Sequence, residues 1–163
     1  MSGADSRLIQ VEKRPLWHLE DQEVDFGHVG DFVQADVTAL QALLQAGVLP
    51  VVCPPGVDAQ GKLYNINADT VALELASAIQ ADELILVTES GGVLDANQHP
   101  IRRLRQQHAI EGVGSGWIAG GMKVKTDIGF EALNRGVSSV WIVALGSVSS
   151  KQKGTQLIGG HHV

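Results

Sequence analysis

Two glycines and two lysines stand together in the segment 120–125, which reads Gly-Gly-Met-Lys-Val-Lys and opens a predicted helix. The N-terminus of a helix carries unpaired N–H donors and the positive end of the helix dipole, so a lysine there is unfavourable unless an anion is present. A phosphoryl group in transfer is such an anion, and enzymes stabilise it by positioning and by positive charge. We therefore interpret Lys125 as a functional residue and Lys123 as an ordinary solvent-exposed lysine.

A glycine-bearing loop lies at 88–95, which reads Thr-Glu-Ser-Gly-Gly-Val-Leu-Asp and directly follows a predicted strand. Sheets of α/β proteins bind ligands at the carboxyl ends of their strands. Adjacent glycines let backbone N–H groups come close to a phosphate or a nucleoside. The spacing fits neither the Walker A loop nor the dinucleotide fingerprint. An ordinary tight turn explains the two glycines equally well.

Three polar side chains, Asn65, Asn67 and Asp69, surround the predicted start of a helix. Amides and a carboxylate in such a place can meet a ligand, but they also accept hydrogen bonds from first-turn N–H groups. From residue types alone, capping is the simpler interpretation. Trp117 is similarly open, because it can stack on a base or anchor its loop to the core.

The elements that must position these residues alternate between strands and helices from Asp36 onward, which predicts an α/β fold with a mostly parallel sheet. Asp36 is expected to cap the first helix, Gly47 and Gly136 to end helices, and Gly61 to adopt a left-handed turn. In chain order, the sequence predicts a helix at 37–46, a strand at 49–53, a helix after Asn67 marked by Val71, Leu75 and Ile79, a strand at 83–88, a short helix at 106–111, a helix at 122–134, a strand at 139–144 and an edge strand at 155–158.

The composition predicts one domain over residues 1–163, with an irregular start at 1–25 and a flexible tail at 159–163. The single cysteine, Cys53, lies in an apolar run, so we expect it to be buried in a protein of a reducing compartment. No apolar run is long enough to cross a bilayer and the N-terminus is polar, which favours a cytoplasmic protein without a membrane partner. The adjacent His161 and His162 lack the geometry of a metal site.

The formal net charge of −6 argues against binding to nucleic acid. A small anionic ligand needs only local positive groups, which a helix N-terminus or a glycine-rich turn can supply. The 19 glycines are therefore more informative about ligands than the net charge is.

Taken in order and spacing, these segments resemble the acetylglutamate kinase branch of the amino-acid kinase family. The resemblance begins near 26–30 (Phe-Gly-His-Val-Gly) and continues through 46–52 (Ala-Gly-Val-Leu-Pro-Val-Val) to 121–125 (Gly-Met-Lys-Val-Lys). Its most specific part is Asn-Ile-Asn-Ala-Asp at 65–69. The family implies a three-layer αβα sandwich of the amino-acid kinase, or carbamate kinase-like, type, truncated here at the N-terminus.

The resemblance also implies an activity, which is the ATP-dependent phosphorylation of the side-chain carboxylate of N-acetyl-L-glutamate in arginine biosynthesis. Asn65 and Asn67 would then contact the acceptor, Asp69 would orient the catalytic lysines, and Lys125 would stabilise charge on the transferring phosphoryl group. Magnesium would bridge the phosphates of ATP. The nucleotide site would comprise Glu89, Ser90, Gly91, Gly92, Val93, Leu94, Trp117, Ile118, Ala119, Gly121 and Lys125.

The sequence departs from the family pattern chiefly in what it lacks. A Lys-x-Gly-Gly strand end, a His-Gly-Gly-Gly loop and an arginine for the acceptor are expected upstream and are missing. Glu89 stands where the family usually has aspartate, and Ala119 where it often has a hydroxyl residue. We therefore expect a phosphotransferase module that needs a second polypeptide for catalysis and that could form homo-oligomers. The alternatives are a non-catalytic nucleotide-binding or regulatory protein and a remnant without a ligand.

Overall fold

The computed structural model describes residues 1–19 and 22–159. By internal contacts the chain divides into two compact units, 1–79 and 80–163, which we describe separately. The single domain expected from the composition stays a prediction. Among the described residues, no helix has both the length and the apolar character needed to span a membrane.

The first unit contains a four-stranded mixed sheet with strand order β4-β1-β5-β6 and a separate two-stranded ladder of β2 and β3. Within the sheet, β1 pairs antiparallel with β4 and parallel with β5, and β5 pairs antiparallel with β6. Three of these strands occupy part of 1–25, so the expected irregular start is wrong. The strands are β1 (Ile9–Lys13), β2 (Trp17–Leu19), β3 (Gln22–Val24), β4 (Gly30–Ala35), β5 (Gly56–Val57) and β6 (Leu63–Tyr64), and a short 3-10 helix occupies Asp5–Arg7.

Two helices, α1 (Thr38–Gln45) and α2 (Ala68–Ala78), complete the first unit. Their extents agree with the predicted helices to within about two residues. The expected cap at Asp36 is wrong by one position, because the N-cap residue is Val37 and it has no side-chain cap; Asp36 precedes it and accepts a hydrogen bond from the Thr38 N–H at 3.1 Å. The helices pack on the sheet through an apolar core, whose buried members are Leu8, Ile9, Val11, Leu40, Tyr64, Ile66 and Val71.

The turns predicted in this unit also form. Gly47 follows α1 with φ +73°, and Gly61 has φ +85° in the turn between β5 and β6. The Asp58 carboxylate accepts hydrogen bonds from the backbone N–H groups of Gln60 and Lys62 at 2.9 and 2.8 Å. This aspartate-centred turn explains the polar run at 58–62, because it satisfies backbone donors where no ladder reaches them.

The strand predicted at 49–53 is wrong. Only Cys53 in this segment forms an isolated β-bridge, with Ser2. Leu49 and Val51 are 86% and 79% exposed, and Cys53 is exposed instead of buried. Pro50 has no N–H and cannot donate a ladder hydrogen bond. In the described part of the chain, this segment is bridged only to residues 1–3.

The second unit contains a four-stranded sheet with strand order β7-β9-β10-β8. The ladders β7–β9 and β10–β8 are parallel, and β9–β10 is antiparallel. The expectation of a mostly parallel sheet therefore fits this unit better than the first one. The strands are β7 (Glu83–Val87), β8 (Arg103–Arg105), β9 (Ser139–Val143) and β10 (Thr155–Ile158).

Helices α3 (Gln106–Gly114) and α4 (Gly120–Asn134) pack against this sheet, and a 3-10 helix occupies Leu145–Ser147. Helix α3 is three residues longer than predicted and includes Gly112. A Cβ atom on Gly112 would lie 2.6 Å from the Trp117 ring, so close packing explains this glycine in a helix. Gly136, with φ +98°, follows α4 as expected.

Two strands of this unit differ from the prediction. Strand β8 was not predicted, since Arg103 and Arg105 flank the single buried residue Leu104. Strand β10 forms at its predicted bounds, but it lies inside the sheet instead of at its edge. The unpredicted β8 pairs with the side of β10 that would otherwise form the edge of the sheet.

Candidate functional site

A small cavity in the second unit lies where the sequence predicts a nucleotide. It has a volume of about 170 Å³ and is lined by the loop after β7, the chain before α4 and the first turn of α4. Four of its lining residues belong to the predicted nucleotide site, and the other two, Gln98 and Met122, were not predicted. The lining residues are Ser90, Gly92, Leu94, Gln98, Trp117 and Met122.

Glycine is needed at two positions of the loop that borders the cavity. Gly91 has φ +80°, a left-handed conformation that residues with a side chain rarely adopt. A Cβ atom on Gly92 would lie 2.8 Å from the Thr155 hydroxyl oxygen. The Ser90 hydroxyl donates to the Gly92 carbonyl at 2.8 Å and so closes the turn.

The Thr155 hydroxyl holds this loop to the sheet. It accepts a hydrogen bond from the Val93 N–H at 2.8 Å and donates one to the Ile101 carbonyl at 2.6 Å. The Ile101 N–H in turn donates to the Val93 carbonyl at 2.9 Å. Thr155 is fully buried. No pattern in the sequence indicates this role, because threonine is common in strands.

Two predicted nucleotide residues belong to the hydrophobic core. Val93 and Ile118 are almost completely buried, so their side chains form the support behind the cavity. The Val93 N–H is bonded to Thr155, and the Ile118 N–H donates to the Gly112 carbonyl at 3.1 Å. Three other predicted residues, Glu89, Ala119 and Gly121, are exposed.

The surroundings of Trp117 are compatible with both roles that the sequence left open, which are anchoring its loop and stacking on a base. Its ring packs edge-on against His108 with ring centroids 5.2 Å apart, and it lies over Gly112 of α3. These contacts anchor the chain between α3 and α4. The same residue also lines the cavity, where an aromatic face can meet a base.

Helix α4 opens beside the cavity without a side-chain cap. Its N-cap residue is Ala119, which is extended and has no side-chain acceptor, and Gly120 follows with φ +53°. The N–H groups of Met122 and Lys123 share the Ala119 carbonyl at 3.1 and 3.3 Å. Because Met122 also lines the cavity, the positive end of this helix lies next to the cavity, where it favours an anion.

The two lysines of α4 have different surroundings. Lys123 is exposed and forms an ion pair with Asp127 at 2.6 Å, one turn further along the same helix. Lys125 is half-buried and follows the cavity residue Met122 by three positions, so it lies on a neighbouring part of the helix surface. The exposure of Lys123 agrees with its interpretation as a solvent-exposed lysine, whereas Lys125 does not line the cavity and its functional role stays a prediction.

The loop that follows Leu94 forms a hairpin around Asp95. The Asp95 carboxylate accepts hydrogen bonds from the N–H groups of Asn97 and His99 at 2.8 and 2.9 Å. The His99 N–H is the main cause of the lowered pKa of Asp95. This turn brings Gln98 to the cavity.

The predicted acceptor residues lie in the first unit. The Asn67 side-chain oxygen caps α2 by accepting from the N–H groups of Asp69 and Thr70 at 2.8 and 3.3 Å. Asn65 is exposed, and its backbone is held by His28 and Gly30 at 2.7 and 2.9 Å. Asp69 is half-buried in the first turn of α2. The capping role inferred for Asn67 is therefore confirmed.

Metal ligands are not clustered in the described part of the chain. Residues 1–19 and 22–159 contain no group of three or more His, Cys, Asp or Glu side chains that could hold a metal ion. A magnesium ion bound mainly through the phosphates of a nucleotide needs no such cage. His161 and His162 lie outside the described residues.

The chain belongs to the amino acid kinase family, whose model matches residues 1–144. Within that family the sequence is acetylglutamate kinase-like. It is 38% identical over 150 residues to the acetylglutamate kinase of Methanocaldococcus jannaschii, covering 88% of this chain and 50% of that enzyme. The acetylglutamate kinase of a Synechococcus strain is 40% identical over 146 residues, covering 88% and 49%. The chain thus spans about half the length of these curated relatives.

Solved structures agree with this assignment at the level of the fold. The N-acetylglutamate synthase of Neisseria gonorrhoeae, complexed with coenzyme A and L-arginine, has a TM-score of 0.80 at 24% identity, covering 98% of this chain and 38% of that one. The carbamate kinase of Giardia lamblia bound to AMP-PNP has a TM-score of 0.65 at 16% identity, covering 90% and 52%. The expected α/β fold of the amino-acid kinase type is confirmed.

Proposed function

We propose that this chain binds ATP with Mg2+ at the cavity of the second unit and takes part in the phosphorylation of the side-chain carboxylate of N-acetyl-L-glutamate. One observation carries the nucleotide part of the proposal. The cavity is lined by four residues that the kinase resemblance assigns to the nucleotide, and it adjoins the uncapped start of α4. The similarity to acetylglutamate kinases supports the reaction type and the acceptor.

In this proposal the cavity holds part of the nucleotide. Its volume of about 170 Å³ is below the ~300–1,000 Å³ of typical ligand pockets, so the remainder of the nucleotide lies over the open surface. Trp117 and Leu94 offer apolar surface to the base. The phosphates would lie at the Gly91–Gly92 turn and at the first N–H groups of α4. Glycines carry no side chain that could stand between these backbone groups and a phosphate.

Lys125 is the residue to which we assign transition-state stabilisation. A transferring phosphoryl group spreads negative charge over its oxygens, and a lysine placed beside it stabilises that charge most in the transition state. Mg2+ bound with the phosphates would neutralise further charge. Asp69 would orient the catalytic lysines, as the resemblance implies.

The acceptor is assigned to Asn65 and Asn67. The Asn67 oxygen is bonded to the start of α2, so its amide nitrogen is the group that would donate to the acceptor. Asn65 is exposed and has a backbone fixed by two hydrogen bonds, which suits a contact residue. A cytoplasmic location and a homo-oligomeric state belong to the same proposal.

The test combines calorimetric titration with a non-hydrolysable ATP analogue and Mg2+ with hydroxylamine trapping of the acyl phosphate formed from N-acetylglutamate. We expect Lys125→Ala to abolish turnover while retaining much of the nucleotide binding. Lys123→Ala is the matched control, because it removes an exposed lysine of the same helix that is paired with Asp127. Turnover of Lys125→Ala equal to that of Lys123→Ala and of an active wild-type preparation would refute the role of Lys125.

Two other results would change the assignment. Nucleotide binding without acyl phosphate, even in the presence of the remaining half of a related kinase, would indicate a non-catalytic nucleotide-binding protein. Absence of both binding and thermal stabilisation by ATP with Mg2+ would refute the nucleotide site, because a ligand of the native state must stabilise it.

A further inference from the structure

A second cavity of the second unit is lined by two arginines. It has a volume of about 470 Å³ and lies where strand β8 passes into helix α3. Among the described residues that line it, Arg103 and Arg105 are charged and none is acidic. It shares no lining residue with the candidate nucleotide cavity. In a chain with 12 basic and 18 acidic residues, a cavity lined by cations alone is a local exception that favours an anion.

The strand geometry places both arginines on one face of the sheet. They alternate with Leu104, which is fully buried, so both lie on the face opposite to it. Two residues of a strand span roughly 6–7 Å, a distance at which two long side chains can bind one ligand. The parallel register sets Arg105 beside Ile158 of β10, which also lines the cavity. Positive charge and apolar surface therefore lie next to each other.

The charge of these arginines is not compensated. Both side chains are exposed, and neither forms an ion pair or a hydrogen bond within 1–19 and 22–159. Two positive charges at this spacing repel each other, which an anion between them would relieve. The neighbouring cavity between α3 and α4, of about 300 Å³, differs in this respect. There Lys123 is paired with Asp127 at 2.6 Å, and Glu131 adds a second carboxylate.

The other lining residues indicate what kind of anion fits. A guanidinium group binds carboxylate or phosphate oxygens through two parallel N–H donors, and the cavity offers two such groups. Gln106, at the start of α3, adds an amide donor. Ile110 is 59% exposed and, with Ile158, provides apolar surface. The volume lies within the ~300–1,000 Å³ of small-molecule sites, so a matching ligand has an anionic head and an apolar body.

We propose that this cavity binds a small organic anion. Arg103 and Arg105 hold its carboxylate or phosphate, and Ile110 and Ile158 contact its apolar part. Carboxylate and phosphate share the chemistry that these arginines recognise, and the choice of probes distinguishes them. The inference does not depend on the proposed kinase function, because it adds a second ligand site to the same unit.

The site is tested by titrating the isotope-labelled full chain with hexanoate, hexyl phosphate and inorganic phosphate in about 0.15 M salt, which screens non-specific attraction. Nuclear magnetic resonance of the backbone amides gives both the affinity and the place of binding. We expect one or both hexyl probes to bind about ten-fold more tightly than inorganic phosphate, because the chain covers apolar surface. The amides of 103–110 should shift. Absence of binding by both hexyl probes, or shifts confined to other residues, would overturn the proposal.

Arginine variants test the head-group contact. Arg103→Gln and Arg105→Gln should each raise the Kd of the bound hexyl probe about five-fold, because each removes a charge-assisted hydrogen bond. Arg102→Gln is the matched control, since Arg102 is exposed and adjacent in sequence but does not line the cavity. It should change the Kd by less than about two-fold, as an exposed charge outside the site does. Equal losses in all three variants would indicate non-specific attraction and overturn the site.

A second variant tests the apolar contact and leaves both arginines in place. Ile110→Ser should reduce the preference for hexyl phosphate or hexanoate over inorganic phosphate about three-fold. An unchanged preference would contradict the placement of the apolar part. All variants are also melted without ligand, and unchanged melting temperatures are expected because the replaced side chains are exposed. Lost affinity in a variant that melts normally is then a loss of binding and not of folding.

Titration with a non-hydrolysable ATP analogue and Mg2+ separates this site from the nucleotide cavity. Arg103→Gln and Arg105→Gln should retain the nucleotide affinity of the wild-type chain, because the two cavities share no lining residue. A loss of nucleotide affinity in these variants would assign the arginines to the nucleotide and overturn a separate site. Binding of a hexyl probe by a chain that binds no nucleotide would support this site and refute the proposed function.

Discussion

Strand β9 in the second unit and the segment 49–53 in the first are both short apolar runs, and the sequence predicts a strand for each. β9 lies between β7 and β10, with Val140, Ile142 and Val143 buried. The segment 49–53 is bridged on one side to residues 1–3 and leaves Leu49 and Val51 exposed. The same kind of apolar run is therefore buried in β9, which has a neighbouring strand along each edge, and largely exposed at 49–53, which makes one isolated bridge in the described part of the chain.

The largest difference is expected in the free energy of unfolding. Ile142→Ala should cost about 2–5 kcal/mol, because it removes buried methyl groups and leaves a cavity. Val51→Ala should change stability by no more than about 0.5 kcal/mol, because the side chain is mostly in water already. Denaturation in guanidinium chloride measures both. Similar losses of stability at the two sites would contradict the contrast between the buried strand β9 and the exposed segment 49–53.

The hydrogen bonds that bind the glycine loop to β10 give the next largest effect. Thr155→Val keeps the shape of the side chain but leaves the Val93 N–H buried without its acceptor, which should cost about 1–3 kcal/mol. Nucleotide affinity should fall as well, since the same loop lines the cavity. Thr155→Ser retains the hydroxyl and is the control. A valine variant as stable as the serine variant would show that this bond does not hold the loop.

In the first unit, the side-chain hydrogen bonds comparable to those of Thr155 are the ones that cap the start of α2. Asn67→Ala should destabilise the protein by about 0.5–2 kcal/mol, the usual effect of losing an N-cap side chain. Asn65→Ala should have a smaller effect, because the hydrogen bonds found at Asn65 are made by its backbone. Thermal unfolding of both variants, with Asn67→Asp as a capping replacement, tests this order. A stable Asn67→Ala protein would leave acceptor binding as the better account of this residue.

The smallest effect concerns pH. The hydrogen bond from the His99 N–H lowers the pKa of Asp95 below its ordinary value of 3.8. The ionised form is thus favoured in the folded state, so its stabilising effect is present above pH 3.8 and is lost as the pH falls through the folded-state pKa. Unfolding measured between pH 5 and 2.5 should show a weaker acid dependence in Asp95→Asn. An unchanged pH dependence would show that the Asp95 carboxylate does not contribute to the loss of stability in acid.

Much of the fold follows from local patterns in the sequence. Helices α1, α2 and α4 and strands β7, β9 and β10 lie within about two residues of their predicted bounds, because periodicity, caps and glycines mark their ends. Strand β8 could not be predicted, since it has three residues and only Leu104 is buried. The failure at 49–53 has a different cause, because the local signal was strong but the segment makes only the isolated bridge of Cys53 with Ser2 in the described part of the chain.

The candidate site also contains residues that the sequence predicts and residues that it does not. Glycines can be recognised along the chain because their backbone properties are intrinsic, which made the turn at Gly91 and Gly92 predictable, while the role of Lys125 stays a prediction. Thr155 acts through contacts with residues far away in the sequence, such as its hydrogen bond with Val93, and no local pattern encodes them. Gln98 reaches the cavity through the turn at Asp95, which the sequence analysis did not predict. Whether the predicted residues bind ATP and the acceptor stays a prediction.

The position of Trp117 has an optical consequence. Its indole ring borders the cavity on one side and meets the imidazole of His108 on the other, and the sequence contains only two further tryptophans, Trp17 and Trp141. A molecule that enters the cavity changes the polarity around an intrinsic fluorophore. With Trp17 and Trp141 replaced by phenylalanine, the emission of the remaining indole would follow occupancy in real time and without a label.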